Sequence, residues 1–188
     1  MSTGSLKTLG KTTFKKPVSK IAQPGIKFQR VKSRNKQANF QPHSHQGVKM
    51  LFHPSSTHII FDANLYYFVG VFDIYDREET KGVEFALYNP NDNKDRENLI
   101  LKYCLDPYNK LSYRHRYKLM ESLALALITE NFNFQSYFED DPEEYSTMAW
   151  DETQIANPRG FFEDIYNLAK AGWKDDLQKA SLEDSSTW

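Results

Sequence analysis

Residues 65–75, Leu-Tyr-Tyr-Phe-Val-Gly-Val-Phe-Asp-Ile-Tyr, and residues 82–88, Gly-Val-Glu-Phe-Ala-Leu-Tyr, decide the fold class. Both runs are short, rich in β-branched and aromatic side chains and bounded by turn residues, which is the composition of strands. In the second run Val83, Phe85 and Leu87 alternate with Glu84, Ala86 and Tyr88, so one face is expected to be buried and the other wet. The polar stretch from Asp76 to Lys81 closes on Gly82 and suits a hairpin loop. Working upstream, Lys49–His53 and Thr57–Asp62 have the same texture. The expectation is a small antiparallel sheet of about four strands.

Downstream of Pro90 the period becomes helical. Asn91 or Asp92 is placed to cap a helix carrying Leu99, Ile100, Tyr103 and Cys104 on one face, with Asp106-Pro107 as its stop. A stronger helix is expected from about Ser112 to Glu130, burying Tyr113, Tyr117, Met120, Leu123, Ala124, Leu127 and Ile128 and stopping near Asn131. Residues 135–157 are irregular and acidic. Asn157-Pro158, a capping residue followed by proline at the first helical position, opens a third helix to about Ala180 along Phe161, Ile165, Leu168, Gly172 and Trp173. Strands followed by about three helices predict an α+β domain over residues 48–188, with an acidic loop near 139–152.

Residues 1–47 differ. They are poor in apolar side chains, contain Pro17, Pro24 and Pro42, and show no periodicity, so they read as an extended basic arm without its own core. Phe14, Ile21, Ile26, Phe28, Val31 and Phe40 are spaced through it like anchors. The charge divides at the same place. Residues 1–61 contain eleven Lys or Arg and no Asp or Glu, whereas residues 62–188 contain 13 basic and 25 acidic side chains. Segments of +11 and −12 thus sum to a net charge of −1.

With 188 residues, of which 39% are hydrophobic and 14% aromatic, the chain has enough material for one cored domain plus an appendage. Cys104 is the only cysteine, so no intramolecular disulfide is available and an intracellular setting is expected. The longest apolar runs, Leu65–Phe72 and Leu123–Ile128, fall far short of the roughly 20 residues of a membrane span, and the amino terminus lacks a signal-peptide core. Its Ser, Thr and Lys content resembles an organellar transit peptide, but the absence of Arg before residue 30 and the irregular apolar spacing favour an arm.

Several groups could carry chemistry. Ile59-Ile60-Phe61-Asp62-Ala63-Asn64-Leu65 resembles the opening strand of PIN-type nucleases over seven residues, which implies metal binding by Asp62 with later carboxylates such as Asp73. Its continuation reads as strand and hairpin rather than helix, so a turn at Asp62-Ala63-Asn64 is the alternative. His43, His45, His53 and His58 lie close together and carry imidazoles suited to a transition metal, without a recognised ligand spacing. Cys104 would need a partner such as His115 to act as a nucleophile, and its periodic position points to the core instead.

Arg114, Arg116 and Lys118, interleaved with Tyr113 and Tyr117 at a helix start, could hold phosphates. The arm cations Lys7, Lys11, Lys15, Lys16, Lys20, Lys27, Arg30, Lys32, Arg34 and Lys36 are the strongest candidates for nucleic-acid or partner binding. Glu139, Asp140, Asp141, Glu143 and Glu144, with Trp150 nearby, form an acidic docking candidate. The functional expectation is a non-enzymatic binding or assembly protein, a structural or accessory component of a viral or ribonucleoprotein-like complex, without cofactor. The competing expectations are an acidic inhibitor or immunity-type partner and a metal-dependent hydrolase around Asp62.

Overall fold

A computed structural model describes residues 50–188. The arm falls outside them. The expected four-stranded sheet is not what these residues form: among the described residues, strand-like pairing is limited to three isolated antiparallel bridges, Phe52 with Ile60, Asp73 with Met148 and Asp141 with Ser146. The body is helical. Leu65–Tyr75 coils into α1 (Tyr66–Val69) and a 3₁₀ turn at Gly70–Phe72. Beyond it a π-turn at Glu78–Gly82 runs into α2 (Val83–Phe85).

The reason lies in burial. Leu65, Phe68, Val69 and Phe72, spaced i, i+3, i+4, i+7, are the fully enclosed side chains of the first run, and that period belongs to a helix. In the second run Phe85 is 1% exposed while Val83 and Leu87 are 61% and 78% exposed, the opposite of a shared inner face. Continuous apolar runs of this length suit a buried helical turn as well as a strand, and aromatic propensity tips the reading the wrong way.

The helical half of the expectation fares better. Asp92 caps α3 (Asn93–Leu99), its carboxylate accepting from the Lys94 and Asp95 amides at 3.0 Å each. The helix does not stop at Asp106-Pro107. It widens through a π-turn (Ile100–Leu105) and tightens into a 3₁₀ turn (Asp106–Lys110), where Pro107 sits at a first-turn position that needs no N–H. Next comes α4 (Tyr113–Ile128), rotated from the expected face: His115, Arg116, Leu119, Met120, Leu123 and Ala126 point inward, and Ile128 is 80% exposed.

Asn157 caps α5 (Pro158–Gly172), its side chain accepting from the Gly160 amide at 2.9 Å. A Cβ on Gly160 would lie 2.3 Å from Asn157 Nδ2, so a side chain there would force the capping amide to shift. The expected helix to Ala180 breaks at Trp173 (φ −105°, ψ 17°), and α6 (Lys174–Ser181) turns away from it.

α4 packs against both α5 and α6. The core beside them is largely aromatic. Phe72 meets Phe85 at 5.3 Å, Trp150 at 5.5 Å and Phe161 at 6.0 Å between ring centres, all edge to face. Trp150 arrives from the loop after α4, held by Ile74 N–H to Thr147 O at 2.7 Å and Ala149 N–H to Phe72 O at 2.8 Å. Edge-to-face contact sets the positive rim of one ring against the negative face of the next, which adds about 0.5–1.5 kcal/mol per pair beyond burial.

Candidate interaction surface

The basic cluster of α4 is occupied by the protein itself. Arg116 is 9% exposed. It pairs with Asp176 of α6, donates to the Asn109 carbonyl at 2.9 Å and the Tyr108 carbonyl at 3.3 Å, and stacks on Trp173. Arg114 reaches Glu183 at 2.8 Å, and Tyr113 donates to the same carboxylate at 2.5 Å. These contacts hold the Glu183 carboxyl below its usual range, the tyrosine hydroxyl being the larger cause. Lys118 bonds Glu121 at 2.7 Å and lies 5.4 Å over the Trp188 ring. Trp188 is itself buried, edge to face with Tyr117. Residues 183–188 therefore close over the start of α4.

The acidic candidates separate into different roles. Asp140 accepts from the Met148 amide at 2.7 Å, and Asp141 accepts from the Glu143 and Glu144 amides while pairing with Ser146. These two carboxylates build a tight hairpin. Glu139, Glu143 and Glu144 lie on its exposed outside. Trp150 is 8% exposed and belongs to the core. At the tip Tyr145 is 68% exposed with φ 53°, a left-handed conformation that costs a side-chain-bearing residue roughly 1–2 kcal/mol. It meets Tyr75 edge to face at 5.5 Å.

The remaining candidates among the described residues do not gather into one site. Asp62 is exposed beside its turn. Asp73 accepts from the Tyr75 amide at 3.0 Å and the Thr147 amide at 3.2 Å, tying two loops together. His43 and His45 fall outside the described residues; His53 Nδ1 lies 2.8 Å from Ser55 Oγ. Among the described residues no three His, Cys, Asp or Glu side chains converge to hold a metal ion. Cys104 is fully buried, and burial pushes its thiol pKa up, away from nucleophilic use.

His115 is enclosed too. The Phe52 carbonyl, 2.8 Å from Nε2, can only accept, so Nε2 carries a proton, while Ser112 Oγ lies 2.7 Å from Nδ1. The ring also meets Phe61 edge to face at 4.7 Å, pinning residues 51–61 to α4. Between α3 and α5 a cleft of about 290 Å³ is lined by Asn93, Arg96, Glu97, Asp164, Asn167 and Leu168, with Arg96 bonded to Asp164 at 2.7 Å.

One charged network has no counterpart in the sequence expectations. Glu84 bonds Lys81 at 2.7 Å, Lys102 at 3.2 Å and the Tyr103 hydroxyl. The i, i+3 spacing of Lys81 and Glu84 is its one local signal. Hydrogen bonds from Lys81, Tyr103 and Lys102, in that order, hold the Glu84 carboxyl down at about 2, against an ordinary 4.5. The folded value lies below the unfolded one, so the network stabilises the native state above about pH 4.5, and that contribution drains away as pH falls toward 2. Glu84→Gln is expected to flatten melting temperature against pH across that window; an unchanged acid limb would assign the loss to other carboxylates.

The charges show a consistent asymmetry. Lys81, Arg96, Lys102, Arg114, Arg116, Lys118 and Arg159 are ion-paired with Glu84, Asp164, Glu183, Asp176, Glu121 and Glu163. More than half of the 13 cations in residues 62–188 are thereby engaged by carboxylates of the same stretch. No helix among the described residues is long and apolar enough to cross a membrane. No family model, curated protein or solved structure matches the chain.

Proposed function

We propose that the chain is a non-enzymatic binding and assembly protein, an accessory or structural component of a larger intracellular complex. Its acidic helical body and its basic amino-terminal segment would engage partners of opposite charge. The observation that carries this reading is the excess of 25 acids over 13 bases in residues 62–188, seven of those bases already ion-paired within the body, beside a segment of +11 without a single acid. A segment of that kind is drawn to phosphate backbones through counterion release, with little base specificity. Nucleic acid is accordingly a proposed component of the complex, through Lys7 to Lys36.

The test replaces the ten cations from Lys7 to Lys36 by Gln in the full chain and measures binding to a labelled single-stranded oligonucleotide. For six to ten phosphate contacts on a single strand, the native chain should lose on the order of a few hundredfold or more in affinity between 50 and 200 mM salt. The substituted chain should bind weakly with a shallow salt slope. Equal affinity and slope in both would remove nucleic-acid binding by this segment.

A further inference from the structure

Residues 183–188 follow α6 and lie across α4, which they reach through Glu183 and Trp188. Glu183 accepts from the Tyr113 hydroxyl at 2.5 Å and pairs with Arg114 at 2.8 Å. The Trp188 ring meets Tyr117 edge to face at 5.5 Å, with the Arg114 guanidinium 5.5 Å and the Lys118 ammonium 5.4 Å from its centre. The backbone bonds of the segment stay local, from Leu182 N–H to Lys179 O, Glu183 N–H to Ala180 O and Thr187 N–H to Asp184 O. Trp188 is 6% exposed yet stands outside the main core cluster, so its burial is local to this corner of the fold. At the joint with α6, Leu182 is 83% exposed. A segment attached through one ion pair that water reaches and one satellite ring belongs to the low-stability end of a fold.

We propose that residues 183–188 are a strap that shuts a second face for single-stranded nucleic acid, formed by Tyr113, Arg114, Tyr117 and Lys118. Tyr113 and Tyr117 are one helical turn apart, as are Arg114 and Lys118, so rings and cations alternate along this side of α4. The strap fills that face with a carboxylate on a cation and an aromatic ring against a ring. A nucleotide offers the same two groups as its phosphate and its base. A strand repeats both at every step, whereas a peptide must place an acid and an aromatic by its sequence, which favours the strand as the ligand of the opened face. The shut strap leaves no room for it, because Arg114 and Lys118 are already covered by the chain itself. The inference rests on the nucleic-acid reading for its ligand class but uses none of the arm's residues.

The test uses the full chain with the ten cations from Lys7 to Lys36 already replaced by Gln, so that arm binding is absent from both sides of each comparison. Trp188→Ala, which changes no charge, should raise affinity for a labelled single-stranded oligonucleotide by about tenfold or more, the gain that follows when the strap is shut in roughly nine molecules of ten. Adding Arg114→Gln and Lys118→Gln should cancel that gain, and a synthetic peptide of residues 181–188 should compete for the opened face. Glu183→Gln should give a smaller gain, and it carries the test should Trp188→Ala lose the native circular dichroism. Unchanged affinity in folded variants would overturn the inference, as would a gain that survives the loss of Arg114 and Lys118. An opened chain that binds the peptide but not the oligonucleotide would overturn it too, and would assign the face to acidic peptides. Failure of the arm to bind nucleic acid would leave each of these outcomes readable.

Discussion

Phe72→Ala is expected to destabilise the body by about 3–5 kcal/mol, the range for truncating a buried phenylalanine. Phe72 is 1% exposed and contacts three rings from separate parts of the chain, Phe85, Trp150 and Phe161. The cavity would open between rigid rings that cannot collapse into it, and three edge-to-face contacts disappear with it. Melting followed by far-ultraviolet circular dichroism should fall on the order of 10 °C or more. The paired control is Leu87→Ala, which a sheet would place on the same inner face as Phe85. Leu87 is 78% exposed, so its removal should change stability by less than about 0.5 kcal/mol. Comparable losses at both positions would contradict the helical arrangement.

The second large effect is expected at Arg116. Removing one partner of a buried ion pair costs about 3–5 kcal/mol when both are enclosed. The Arg116 side chain is 11% exposed but Asp176 is 35% exposed, so water relieves part of the stranded charge and Arg116→Ala should cost about 2–3 kcal/mol. The loss includes the donors to the Tyr108 and Asn109 carbonyls, which hold the 3₁₀ turn against α4. Arg116→Met with Asp176→Leu should recover most of it, since an apolar pair removes the desolvation cost along with the attraction. In the oligonucleotide assay, Arg116→Ala should leave affinity unchanged while its melting temperature drops. Lost affinity with an intact fold would restore the phosphate-binding reading of α4.

The helices were legible where local chemistry defines them. Asp92 and Asn157 cap as their sequence contexts imply, and Leu119 through Ala126 carry a period that survives in the structure with a rotated face. The first third of the body was not legible, because Leu65 to Phe72 is apolar at nearly every position and periodicity cannot separate a buried turn of helix from a buried strand. Trp150 read as a docking residue because its neighbours are acidic. Its burial depends on Ala149 meeting Phe72, a contact between distant parts of the chain that no local window reveals. Arg116 shows the reverse error: its neighbours Arg114 and Lys118 suggested an open basic face, and its counter-charge waited sixty residues downstream on Asp176.

The aromatic core also has an order in time. Phe72 and Phe85 leave the ribosome well before the residues that cover them, since Trp150 and Phe161 lie far along the chain. Closing so long a loop costs entropy before any contact rewards it. Throughout that interval the nascent chain carries half of an aromatic cluster facing water, behind a segment rich in positive charge. Synthesis is thus the stage at which this protein is most open to unwanted association, and the arrival of Trp150 and then Phe161 ends it.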